Sequence, residues 1–137
     1  KTRQGSLRLE GEGLQAFWSV AYSPDGTRLA AVGQDQTIKI YDAATLRIIG
    51  TLRGHTGMIY SVAYSPDGTR LASASRDGTV KVWDANTTQR SLTFSGHPGG
   101  GWTMVAFSPD GKRLVWVSDR LAKTPGEFNV FLADWVP

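Results

Sequence analysis

The sequence contains no cysteine among its 137 residues. A disulfide-held scaffold, a cysteine nucleophile and every thiolate metal site are therefore excluded. Charged residues make up only 20% of the chain, and the formal net charge is +3. Because neither sign is concentrated in a tail or a patch, we expect neither a nucleic-acid ligand nor an anionic membrane surface as a partner.

Long apolar runs and helical periodicity are also missing from the sequence. No run approaches the roughly 18 apolar residues of a membrane-spanning helix, and no signal-peptide pattern is present at the first residues. These two absences favour the cytoplasm. No segment places apolar residues at i, i+3, i+4 and i+7 over three turns. The absence of this helical spacing indicates an all-β fold.

What the sequence does contain is an internal repeat. Residues 20–30 read VAYSPDGTRLA, residues 62–72 read the same eleven letters, and residues 105–114 read VAFSPDGKRL. The copies are separated by 42 and 43 residues. Such a period indicates that one supersecondary unit is copied along the chain.

Each unit consists of strand and turn signals. The apolar run Trp18–Tyr22 is followed by Ser23–Pro24–Asp25–Gly26, where proline presets φ and the Asp-Gly pair permits the positive φ of a tight turn. The other predicted strands are residues 28–33, 37–42, about 46–52, 70–75, 79–84, 90–94 and 128–134. Four short antiparallel strands with apolar residues on both faces must be covered on both sides, and the radially packed blades of a β-propeller provide that cover.

The second unit carries the most specific motifs. Gly54–His55, the Ser-Pro-Asp-Gly turn at 65–68, Leu71–Ala72–Ser73, Asp77 and the run VKVWD at 80–84 resemble the WD40 repeat, and the resemblance extends over about residues 6–136. It implies a buried hydrogen-bonded network, a structural relay, formed by His55, Ser73, Asp77 and Trp83. The first unit has Gly13, Ala31, Asp35 and Tyr41 at these positions, and the third keeps His97 but has Trp116 in place of the serine. We therefore expect the first and third units to depend on apolar packing instead.

We expect the whole chain, residues 1–137, to be a single propeller segment. Its predicted parts are a closing fourth strand at 6–10, a first blade at about 18–52, a second at about 59–94, and a third at about 102–136 that lacks its own fourth strand. Three blades do not close a ring, since propellers use about four to eight.

Three ways of completing the ring remain open. Copies of the chain could close it together, a homodimer with six blades or a homotrimer with nine, in which residues 6–10 of one copy complete the third blade of the next. Alternatively, the chain is an excised part of a larger propeller that serves as a ligand-sensing or regulatory module of a signalling protein. In the third possibility, the chain is one part of a complex in which another chain supplies different blades.

No motif in the sequence indicates catalysis. The only two histidines, His55 and His97, occupy equivalent positions of successive units, without carboxylates at ligand spacing. The glycine-rich segment 96–101 has no Gly-Lys-Ser/Thr ending and does not precede a helix, so it is not a phosphate-binding loop. We predict that the protein is not an enzyme and has no catalytic residue, metal site or cofactor.

The resemblance to WD40 repeats implies a non-catalytic protein-interaction scaffold. Such proteins commonly bind a protein or peptide partner at the edge of the blades where the first strands begin, which we call the first-strand rim. The candidate residues on this rim are Trp18, Gln34, Met58, Tyr60, Arg76 and Thr103. Aromatic side chains, methionine and arginine are enriched at protein interfaces, although Trp18 and Tyr60 could equally pack between blades.

Overall fold

The computed structural model describes residues 16–87, 90–95, 103–118 and 129–134. The strands in these ranges are β1 (Phe17–Tyr22), β2 (Arg28–Gly33), β3 (Ile38–Asp42), β4 (Ile48–Leu52), β5 (Ile59–Tyr64), β6 (Arg70–Ser75), β7 (Thr79–Asp84), β8 (Arg90–Ser95), β9 (Thr103–Phe107), β10 (Arg113–Ser118) and β11 (Asn129–Asp134). A search of the same ranges finds no helix of the length and apolar character needed to cross a membrane.

The strands form three antiparallel sheets, one for each unit of the repeat. Strands β1–β4 make the first blade in the order β1-β2-β3-β4, and strands β5–β8 make the second in the equivalent order. In the third blade the described strands lie in the order β11-β10-β9. The prediction of an all-β fold with three blades is confirmed. The closing strand predicted at residues 6–10 lies outside the described residues.

The repeated Ser-Pro-Asp-Gly segment forms the same turn each time. In the first blade, Asp25 Oδ1 accepts hydrogen bonds from Ser23 Oγ at 2.7 Å and from the Thr27 amide at 3.0 Å. Gly26 has a φ of +72°, a left-handed conformation that glycine adopts without a steric penalty. These bonds hold the pKa of Asp25 at about 2. The segment is therefore determined by local chemistry, which explains why it recurs unchanged.

The two larger core clusters lie between blades, and a smaller one lies within the first blade. The first blade contributes Ala30, Val32, Ile38, Ile40 and Leu52 to one cluster, and the second blade contributes Ile59, Val62, Leu71 and Trp83. A second cluster joins the second blade to the third through Ala72, Ala74, Val80, Val82, Val105 and Leu114. Each blade is thus stabilised mainly by its neighbours, because its own two faces are apolar and must both be buried.

Polar contacts also connect successive blades. The Val62 amide donates to Ser19 Oγ at 3.4 Å, and at the next interface the Val105 amide donates to Ser61 Oγ at 3.2 Å. Arg28 also reaches from the first blade to the second, where its Nη1 donates to the Ala85 carbonyl oxygen at 2.9 Å. The same serine position therefore makes the same contact at both interfaces.

Candidate functional site: a buried network and the first-strand rim

The four residues of the relay are brought together in the second blade. Trp83 Nε1 lies 2.8 Å from Ser73 Oγ, which is 2.7 Å from His55 Nε2. On the other side of the ring, His55 Nδ1 lies 2.7 Å from Asp77 Oδ2. Ser73 and the His55 ring are fully buried. The network connects the segment before β5, the middle of β6 and β7, and the turn between them.

The distances admit one consistent assignment of protons. Trp83 Nε1–H donates to Ser73 Oγ, the Ser73 hydroxyl donates to His55 Nε2, and His55 Nδ1–H donates to Asp77 Oδ2. We assign these roles from the geometry, since a neutral imidazole has one donor and one acceptor nitrogen. Each of these side-chain nitrogen and oxygen atoms of the network then has a partner, which is the condition for such a network to be stabilising.

The ionisation of the network follows from burial and hydrogen bonding. Burial lowers the pKa of His55 below its ordinary value of 6.5, and this effect outweighs the opposing influence of Asp77. Burial raises the pKa of Asp77, but hydrogen bonds from Thr79 and His55 outweigh it and hold that pKa below its usual value. The resting network is therefore a neutral imidazole beside a carboxylate. Because both histidine nitrogens are occupied, it is a structural tie rather than a general base with access to a substrate.

The first blade replaces this network with another polar one, which corrects the expectation of purely apolar packing. Lys39 Nζ forms an ion pair with Asp35 Oδ2 and lies 3.0 Å from Thr37 Oγ1. Asp35 occupies the position of Asp77, and Lys39 that of Lys81. Without a histidine in the loop, the lysine on β3 becomes the partner of the turn carboxylate. Both residues are present in the sequence, but the sequence does not show that the Lys39 side chain lies within contact distance of the Asp35 carboxylate.

In the third blade, aromatic packing occupies the corresponding place. Trp116 stands at the position of Ser73 on β10 and stacks on Phe131 with ring centroids 5.7 Å apart and planes inclined by 10°. Phe94 of the second blade lies on it with centroids 5.8 Å apart. This arrangement agrees with the expectation for the third unit, whereas His97 lies outside the described residues.

A β-bulge places the two aromatic candidates on the first-strand rim. The pairing of β1 with β2 shifts between Phe17 and Ser19, and that of β5 with β6 shifts between Ile59 and Ser61. Trp18 and Tyr60 are therefore the residues inserted at equivalent bulges, a device that redirects a side chain at a strand end. Trp18 is 49% exposed, while Tyr60 is half-buried.

The remaining rim candidates differ in accessibility. Gln34 and Arg76 are exposed and Met58 is half-buried; the Arg76 amide donates to the Met58 carbonyl oxygen at 2.8 Å, so these two are neighbours. Thr103 differs from the expectation, because its side chain is fully buried. It begins β9, which pairs with β10 and packs against the second blade. Thr103 therefore offers no surface to a partner.

The opposite edge of the blades carries two grooves between successive turns. One has a volume of about 460 Å³ between the turns at Asp25 and Asp67, and the other about 470 Å³ between those at Asp67 and Asp110. In each aspartate one carboxylate oxygen already accepts the bonds that hold its own turn. Within the described residues no three His, Asp or Glu side chains lie close enough to hold a metal ion.

Sequence reasoning missed the apolar residues on the outer faces of the first and third blades. Val20 and Tyr22 on β1 and Met104, Val130 and Leu132 on β9 and β11 are all more than half exposed. The repeat contained a signal for four of them, because Val20, Tyr22, Val130 and Leu132 stand at positions that are apolar in the other units. Met104 is the exception, since the other units have serine at its position. The repeat pattern marks such positions as core, but it does not say which blade lacks a neighbour.

Comparison with known protein families identifies the repeat. The family model described as WD domain, G-beta repeat matches residues 6–42, 46–84 and 88–123. Each match includes the segment that precedes a first strand, and the third ends before β11 begins. The matches cover most of the sequence and agree with the three blades of the structure. The chain belongs to the WD40 repeat family.

Proposed function

We propose that this protein is a non-catalytic interaction scaffold that holds a protein or peptide on its first-strand rim and closes its ring with further copies of itself. WD40 repeats are generally protein-interaction scaffolds. The observation that carries the rim proposal is the exposure of Trp18, a large aromatic side chain on a bulge beside the exposed Gln34. Half-exposed aromatic residues on a rigid strand offer large contact area at low conformational cost.

The rim proposal is tested by selecting ligands and then removing the aromatic side chains. Peptides are selected from a displayed random library against the wild-type protein, and their affinities are measured for Trp18→Ala together with Tyr60→Ala. We expect at least a tenfold loss of affinity, since truncating an interface hot spot costs about 2 kcal/mol or more. Ile49→Ala is the matched control, because Ile49 is equally exposed at 53% but lies on β4. Equal loss in both variants, or none, would place the binding surface elsewhere.

The proposal of self-closure is supported by an edge of the third blade. In the first two blades the third strand pairs with a fourth, as β3 does with β4 and β7 with β8. In the described part of the third blade, β11 pairs only with β10. An unpaired strand edge presents free amide and carbonyl groups that favour the addition of another strand. Residues 6–10 of a second copy are the strand we propose for this place.

Light scattering coupled to gel filtration tests this proposal. We expect a particle of two or three times the chain mass of 14.9 kDa, that is, six or nine blades. A folded monomer would contradict closure by copies and would favour the alternative of a module that belongs to a larger propeller.

A further inference from the structure

The two interfaces inside the chain share one pattern of contact. At the first, Ile38 and Ile40 of β3 belong to the same buried cluster as Val62 of β5, and all three are at most 5% exposed. At the second, Val80 and Val82 of β7 belong to the same buried cluster as Val105 of β9, and all three are at most 7% exposed. Each interface therefore combines a following face, to which the first, second and third strands of one blade contribute, with a preceding face that includes the first strand of the next.

The first and third blades present one half of this pattern each. Val20 occupies the position of Val62 and is 57% exposed, and Tyr22 occupies that of Tyr64 and is 66% exposed. These two residues are the exposed part of the preceding face of the first blade, on which Leu29, Ala31 and Tyr41 are buried. Val130 and Leu132 occupy the positions of Val80 and Val82, and they are 68% and 61% exposed.

We propose that the following face of the third blade in one copy, formed by Met104, Val130 and Leu132, packs on the preceding face of the first blade in a second copy, formed by Val20 and Tyr22. This inference rests on the self-closure proposed above and names its contact surface. The occupant is a copy of this chain because each face carries the residues that meet the other face at both internal interfaces. The two faces are different, so the contact is head-to-tail, the arrangement that closes a ring.

Met104 distinguishes this junction from the two internal interfaces. Ser19 and Ser61 accept a hydrogen bond from the first strand of the next blade, and Met104 stands at the same position on β9 with 53% of its surface exposed. A methionine cannot accept that bond well, but its flexible, apolar side chain fits an irregular apolar surface. The junction between copies is thus more apolar than the two interfaces inside the chain, where a serine accepts a hydrogen bond at this position.

The absence of cysteine makes a cross-linking test unambiguous. Val20→Cys combined with Met104→Cys places one thiol on each face, at the positions that Val62 and Ser19 occupy at the first internal interface. After oxidation we expect a covalent dimer or trimer on a non-reducing denaturing gel. The matched control is Ser19→Cys with Val62→Cys, which should form a disulfide within one chain and remain a monomer on the gel.

The outcomes separate this inference from the proposal on which it rests. Oligomers in light scattering without the Val20–Met104 cross-link would overturn the contact named here and leave self-closure standing, whereas monomers throughout would overturn both. If Val20→Cys alone or Met104→Cys alone gave a covalent dimer, the contact would be symmetric, and the head-to-tail contact proposed here would be wrong. As a second test, Leu132→Asp should lower the particle mass to that of the monomer with an unchanged far-UV spectrum, while Ile49→Asp should leave the mass unchanged.

Discussion

Replacing Ser73 with alanine tests whether the buried network stabilises the second blade. The Ser73 side chain is fully buried on β6, and alanine occupies nearly the same volume, so the substitution removes hydrogen bonds with little change in packing. Two partners lose their bond, His55 Nε2 at 2.7 Å and Trp83 Nε1 at 2.8 Å. Neither group gains access to water when the hydroxyl is removed.

The expected loss follows from the cost of unpaired buried polar groups. Each such group destabilises the folded state by about 1–3 kcal/mol, so two of them predict a decrease of about 2–4 kcal/mol in the free energy of unfolding. This is a large part of the total stability of about 5–15 kcal/mol that is typical of a domain. Thr93→Ala, which removes an exposed hydroxyl 3.2 Å from Lys81 Nζ, should cost less than about 0.5 kcal/mol.

Urea denaturation followed by tryptophan fluorescence measures the difference. All variants are compared at one chain concentration, because assembly makes apparent stability depend on concentration. Ser73→Ala is then repeated in a Trp83→Phe background, where the indole donor is already absent. There it should cost about 1 kcal/mol less than in the wild type, since one orphaned group no longer exists. A loss below about 0.5 kcal/mol, or equal losses in both backgrounds, would refute the assigned network.

Two further predictions concern ionisation and backbone strain. Because the pKa of His55 is lowered on folding from 6.5, the unfolded chain binds more protons below that pH, so the free energy of unfolding decreases as pH falls from 6.5 towards the folded pKa. His55→Gln should remove this dependence in pH-resolved urea titrations, while His97→Gln should retain it; the reverse result would assign the proton to His97. Gln36 has a φ of +67° where the second blade has Gly78, so Gln36→Gly should raise thermal stability by about 0.5–1 kcal/mol. Gln34→Gly should not raise the stability, because Gln34 has no positive φ. A rise in stability for Gln34→Gly as well would argue against backbone strain at Gln36.

The sequence predicted the elements of the blades closely. Strands β2, β6 and β7 begin and end at the residues expected from the pattern, Arg28–Gly33, Arg70–Ser75 and Thr79–Asp84. Strands β1, β3, β4, β8 and β11 differ from the expectation by one or two residues at an end. This accuracy has a local cause, since the turn between the first two strands is built from hydrogen bonds among residues at most five apart, such as that from the Arg28 amide to Ser23 Oγ.

The polar pairings were less predictable because they depend on distant partners. His55 and Asp77 are 22 residues apart, and the resemblance to a known repeat indicated that they meet. No such guide existed for the first blade, where Lys39 takes the carboxylate of Asp35. For Thr103 the repeat position predicted exposure on the rim, but the packing of β9 against the second blade buries it completely.

By itself, the sequence determined the repeat, its strands and its turns, since these depend on neighbouring residues. Only the tertiary structure decided which apolar positions are covered. Val20 and Val62 lie in identical eleven-residue segments, yet one is 57% exposed and the other 5%. Local sequence specifies the same strand in both places, whereas burial depends on whether another blade lies against that strand. The exposed copy of the motif therefore marks the surface where we expect a second chain to bind.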